Sequence, residues 1–237
     1  MSKNLNLNLY LVTDEAVKCR LGLLETVRRA VAGGVTIVQY RTVKTDRNRL
    51  LAEALPLRDF LRSAGVTFIV NNNVPLAVEL DADGIHIGQS DMPVAEARKL
   101  IGPDKILGLS VSTEEQMRAV DASLVDYVGC GPVFPTISKM NAPKDLGIEG
   151  WARLAALSPV PVVAIGGLDA ERARSIRATG HAAGIAVVSA ICASADPERA
   201  ARELLLMRSF RRRPGTWRPC GPGIRWCSVS PTPLFSR

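Results

Sequence analysis

The chain has 237 residues, 47% of them hydrophobic, enough for one large domain with a sizeable core. It has no apolar run of membrane-spanning length and no charged start followed by a long apolar stretch, so neither a span nor a secretory signal is expected. Its formal charge of +7 and five scattered cysteines, none in metal-ligand spacing, suggest neither a disulfide scaffold nor a zinc module; a reduced, cytoplasmic protein is expected.

In chain order, short β-branched apolar runs alternate with amphipathic segments. The first strand expected is "NLYLVTD" (8–14), and "LLETVRRAVAGG" after it is apolar at helical spacing and closed by glycines. Further strands are expected at "VTIVQYR" (35–41), "TFIVNN" (67–72), "GIHIG" (84–88) and "KILGLSV" (105–111). "DYVGCG" (126–131), "PVVAIGG" (161–167) and "GIAVVSA" (184–190) complete the set. Eight such strands, each followed by a helix-like segment, predict a closed parallel (β/α)8 TIM barrel over residues 1–207, with a doubly wound open sheet as the alternative. Residues 208–237 hold seven of the 30 Lys and Arg and no acid, so the remaining 23 cations balance the 23 acids of the body. This Arg/Pro/Gly-rich tail has no sustained period and is expected to be disordered, outside the fold. Nucleic acid is not an expected partner, although arginines beside Trp217 and Trp226 would suit an acidic one.

Each strand is plain until its carboxy end, where polar residues begin: Asp14, Gln39 and Arg41, Asn71, Gln89 and Asp91, Ser110, Gly166 and Gly167, Ser189. In a parallel barrel these ends share one face, the face that carries barrel active sites. "GCGPVFPTISK" (129–139) packs glycines, hydroxyls and a lysine into one loop, which suits either an anion or an ordinary surface turn. "AIGGLDAERA" and "VVSA" place Gly167, Val188 and Ser189 where barrels of this kind bind phosphate. Asp91 in "GQSDMP" suits a magnesium ligand or a helix N-cap equally. Arg41 and Lys44 in "VQYRTVKTDRN" suit a diphosphate, and strand alternation puts Gln39 on the side of Arg41. His86, inside its strand, reads as a hydrogen-bonded core histidine.

Together "YLVTD", "VQYR", "IVNNN", "ADGIHIGQSDMP", "ILGLSV", "DYVGCGPVFPTISK", "AIGGL" and "VVSAI" resemble the thiamine phosphate synthase family from about Leu9 to Ser194. The resemblance implies a transferase that joins a pyrimidine diphosphate to a thiazole phosphate with Mg²⁺, releasing diphosphate. By motif, Gln39, Arg41, Asn71, Ser110 and Lys139 would contact the pyrimidine diphosphate, with Lys44 a further candidate; Arg41, Lys139 and Ser110 would be catalytic. Asp91 and Asn72 would hold the metal, and Thr136, Ser138, Gly167, Val188 and Ser189 the thiazole phosphate. Two departures stand out: Asn72 replaces the family's usual Asp, and Val43 occupies the usual lysine position, with Lys44 one residue later. These departures keep open a non-catalytic thiazole or thiamine phosphate binder; a thiazole tautomerase-like barrel is a further alternative, which Gln89, Asp91 and Lys139 disfavour. The partners the resemblance implies are small-molecule substrates, with a homo-oligomer as a further expectation.

Overall fold

The computed structural model describes residues 5–14, 17, 19–136, 144–205, 218–219 and 226–227. Its first half runs β1 (Leu9–Val12), α1 (Leu23–Ala32), β2 (Ile37–Tyr40), α2 (Arg47–Ser63), β3 (Thr67–Asn71), α3 (Val74–Glu79), β4 (Gly84–Ile87) and α4 (Val94–Ile101). The second half runs β5 (Ile106–Val111), α5 (Glu114–Arg118), β6 (Tyr127–Cys130), α6 (Gly147–Ala155), β7 (Val162–Ile165), α7 (Ala170–Ala178), β8 (Gly184–Val187), α8 (Ser189–Cys192) and α9 (Pro197–Leu205). The eight strands pair in parallel and in sequence order, and β8 closes onto β1 through Leu9–Ile185 and Leu11–Val187, so the closed barrel forms and the open-sheet alternative does not. Most of the expected 208–237 tail lies outside the described residues; within it, Arg218–Pro219 pairs antiparallel with Trp226–Cys227.

Strand alternation builds two cores. Leu9, Leu11, Val38 and Tyr40 point outward into a layer beneath the helices, joined by Trp151, Leu57 and Ile176. Tyr10, Val12, Ile37, Ile69, Ile106, Tyr127, Val163 and Ala186 fill the barrel interior, with Leu7 below them. Strands buried on both faces read as continuous apolar runs, which is why the eight runs were legible in the sequence.

Helix α9 seals the ring against α1. A Cβ on Gly33 would meet Glu198 O and Ala201 Cβ (2.6 Å), so only glycine allows this approach. Helix starts are capped where the sequence provides a short polar side chain: Asp46 accepts from Arg49 N (2.8 Å), Asn73 from Leu76 N (3.0 Å) and Thr113 from Gln116 N (3.2 Å).

Candidate active site

The strand ends converge as the decorated termini predict. A cavity of about 460 Å³ opens at the carboxy end of the barrel, lined by residues from all eight strands or the loops that follow them. This volume lies within the usual range for small-molecule sites. Of the residues singled out in the sequence, Gln39, Arg41, Asn71, Asn72, Asp91, Ser110, Thr136, Gly167, Val188 and Ser189 all border it. Ser138 and Lys139 lie outside the described residues.

Arg41 is braced before any ligand arrives. Its N–H donates to Thr13 Oγ1 (3.0 Å), and Nη1 donates to Asp14 Oδ2 (2.7 Å), a carboxylate whose side chain is only 9% exposed. The pair fixes the guanidinium at the rim and offsets part of its charge.

Lys44 goes elsewhere. Its Nζ donates to both Glu53 carboxylate oxygens at 3.0 Å, and Glu53 also accepts the Tyr40 hydroxyl (2.6 Å) from the outward side of β2. Lys44 does not border the cavity, and Val43 beside it is 80% exposed. The expectation that Lys44 joins the cationic cup is therefore corrected: α2 supplies a carboxylate that draws it onto the outer wall.

Asn72 follows β3 with φ +60°, a left-handed conformation that Asn tolerates, and its N–H donates to His86 O (2.9 Å). Asp91 Oδ2 accepts from Gly88 N (2.6 Å), while α4 is N-capped by Pro93 without a side-chain bond. The helix-cap reading of Asp91 is corrected, because its carboxylate turns back to the end of β4. Gln89 Nε2 donates to Ser110 O (2.7 Å), tying the β4 and β5 ends together.

The glycine-rich loop is stitched to its neighbour. Val133 N donates to Ile165 O (3.0 Å) and Phe134 N to Gly166 O (3.1 Å), so the segment leading to Thr136 lies along the end of β7. Gly166 and Gly167 adopt φ +104° and +62°, and a Cβ on Gly167 would meet Pro135 O at 2.6 Å. Asp169 caps α7 by accepting from Arg172 N (2.8 Å), and Arg172 Nη1 donates to Gly167 O (2.7 Å), holding the turn from outside.

The cavity floor adds two residues that were not singled out in the sequence. Tyr10 and Tyr127 border the cavity from below, and their hydroxyls meet at 2.7 Å. Gln39 Nε2 donates to Tyr10 Oη (2.8 Å); His86 Nδ1 lies 3.0 Å from Tyr127 Oη and its Nε2 2.9 Å from Ser110 Oγ. His86 is hydrogen-bonded and buried as expected, yet it also reaches the cavity. Burial drives both phenols well above the usual tyrosine range, so they stay neutral. The available signal was a tyrosine at an inward position of each of two strands, with Gly108 of β5 registered beside Tyr127.

A family model described as thiamine monophosphate synthase matches residues 9–191. A thiamine-phosphate synthase of Azorhizobium caulinodans is 47% identical over 208 residues, covering 88% of this chain and 98% of the relative. One from Vibrio campbellii is 45% identical over 202 residues, covering 84% and 98% respectively. Among solved structures, thiamine phosphate pyrophosphorylase from Pyrococcus furiosus superposes with a TM-score of 0.77 at 35% identity, covering 85% of this chain and 95% of that one.

Proposed function

The chain belongs to the thiamine monophosphate synthase family, and from that premise we propose how its cup carries out the reaction. It is a thiamine-phosphate synthase, a transferase of thiamine biosynthesis that joins a hydroxymethylpyrimidine diphosphate to a thiazole phosphate. The observation that carries the mechanism is the single cavity in which Arg41, Asp91, Ser110, Gly167 and Ser189 converge.

Gln39 and Ser110 hold the pyrimidine ring, while Arg41 and Asn71 take the diphosphate. Lys139, assigned by its motif, adds a second cation for the leaving group. Thr136, Gly167, Val188 and Ser189 cradle the thiazole phosphate, joined by Ser138 on the motif alone. As the C–O bond to diphosphate breaks, the electron pair leaves with the diphosphate, and the methylene carbon becomes a benzylic-type cation delocalised into the aminopyrimidine. The thiazole nitrogen then supplies the pair for the new C–N bond. Such a reaction needs neither a strong base nor a protein nucleophile; it needs charge neutralisation and alignment. A rim arginine held by Asp14 meets the first need without reorganising.

The donor set fits Mg²⁺. The ion prefers oxygen ligands, takes few from protein, and completes its shell with phosphate oxygens. Asp91 keeps one carboxylate oxygen beyond its bond to Gly88 N, and the neutral Asn72 borders the same cavity. Bound there, Mg²⁺ would neutralise the leaving diphosphate. Asn72 contributes less charge than an aspartate would, so this chain is expected to need more Mg²⁺. Free Cys19, Cys130 and Cys192 accord with a reducing, cytoplasmic setting, and no helix among the described residues is long and apolar enough to cross a membrane.

The test is incubation of the pure protein with both substrates and Mg²⁺, with thiamine phosphate and diphosphate as the products measured. Calorimetric binding of the thiazole phosphate without turnover at any Mg²⁺ concentration would replace the enzyme with a binding protein.

A further inference from the structure

The floor of the cavity carries a hydrogen-bonded chain whose direction is set at one end. A phenol has one proton. Tyr10 Oη accepts from Gln39 Nε2 at 2.8 Å, so the Tyr10 proton goes to Tyr127 Oη, 2.7 Å away. The Tyr127 proton then goes to His86 Nδ1 at 3.0 Å, which makes that nitrogen the acceptor. A neutral imidazole with an accepting Nδ1 carries its proton on Nε2, and Nε2–H donates to Ser110 Oγ at 2.9 Å. The Ser110 proton is left for the cavity that Ser110 borders, and Gln39 Oε1 is left there as an acceptor.

The neighbouring strands are built around this arrangement. A Cβ on Gly108 would lie 2.5 Å from His86 Nδ1 and closer still to the Tyr127 ring, and one on Gly129 would lie 3.1 Å from His86 Cε1. Glycines of β5 and β6 thus leave the space in which the two rings meet, with centroids 5.5 Å apart.

We propose that Gln39, Tyr10, Tyr127, His86 and Ser110 form a one-way relay that makes Ser110 a donor and Gln39 an acceptor toward the substrate. The pocket thereby selects a ring that offers an amino group toward β2 and an unprotonated ring nitrogen toward β5. An aminopyrimidine meets both demands; its oxo analogue, with donor and acceptor exchanged, meets neither. Tyr10, Tyr127 and His86 act as positioning residues, since their effect reaches the substrate through Gln39 and Ser110. This specificity rests on the proposed pyrimidine site, whereas the direction of the relay does not.

The relay is tested without substrate by nitrogen-15 NMR of histidine-labelled full-length protein at pH 8. The chain has two histidines, and His181→Asn leaves the His86 signals alone. The expected state is His86 protonated on Nε2. In Gln39→Glu the carboxylate accepts from Tyr10, every bond reverses, and the His86 proton moves to Nδ1; adding Tyr10→Phe cuts the chain and blocks that change. A wild-type proton on Nδ1, or a Gln39→Glu tautomer equal to the wild type, overturns the proposal. For ring recognition, Tyr10→Phe is expected to raise KM for the pyrimidine diphosphate about tenfold, the loss of about one hydrogen bond, and to leave KM for the thiazole phosphate unchanged. Equal changes in both constants, or none, refute selection of the ring.

Discussion

Gly167→Ala tests whether the glycine pair after β7 is required by backbone geometry and crowding. Gly167 sits at φ +62°, and left-handed backbone costs a residue with a Cβ about 1–2 kcal/mol. Its Cβ would also meet Pro135 O at 2.6 Å and Phe134 Cβ at 2.9 Å. The first is backbone of a loop bonded to the end of β7 through Val133 and Phe134, so it cannot yield as a flexible side chain would. Overpacking of this kind adds about 1–3 kcal/mol. Reduced freedom of the unfolded chain returns about 0.4–1 kcal/mol. The net loss is about 1–5 kcal/mol, or a fall in Tm of about 2–20 °C for a domain of this size. Gly22→Ala is the control: φ is +78°, but nothing lies within 4 Å of the added Cβ. It incurs only the backbone cost, about 1 kcal/mol, or about 2–4 °C. Thermal unfolding followed by circular dichroism measures both. The same displacement moves the Thr136 segment, so KM for the thiazole phosphate should rise more than KM for the pyrimidine diphosphate. Equal Tm shifts in the two variants would refute the crowding argument.

Asn72→Asp restores a carboxylate at a position whose backbone Asp tolerates, and the Mg²⁺ concentration for half-maximal activity is expected to fall about tenfold; an unchanged titration places Asn72 away from the metal. Arg41→Ala removes the braced cation and leaves Asp14 buried without that partner, so kcat/KM should drop about 10²–10³-fold and stability should fall as well. Arg41→Ala combined with Asp14→Asn should recover Tm but not kcat/KM; joint recovery would make the arginine structural only. The Cys19 thiol is lowered to about 7, chiefly by a hydrogen bond from Cys192, whereas burial pushes Cys130 up to about 12. In a Cys220→Ser, Cys227→Ser background, alkylation by iodoacetamide should therefore strike Cys19 first, its rate rising through about pH 7 and levelling by pH 8. A rate still climbing beyond pH 9 would contradict the Cys192 contact.

The eight barrel units and the face that carries the site could be read from the chain alone. Strands such as Leu9–Val12 and Gly184–Val187 are buried on both sides and so are apolar at every position, a signal local to four residues. Polar residues begin where burial ends, so Arg41, Asp91, Ser110 and Ser189 mark the open end of the barrel. Which partner each polar side chain takes was less legible. Lys44 pairs with Glu53 on α2 rather than facing the cup, and Asp91 turns back to Gly88 instead of capping α4; each depends on where a helix or turn comes to rest. The floor depended most on closure of the ring. Tyr10 and Tyr127 lie 117 positions apart on strands that do not pair with each other, and their hydroxyls meet because both point inward across a closed barrel. Inward direction is written in alternation along each strand, but which inward side chains touch is decided by barrel diameter and stagger, and those exist only once the sheet has closed.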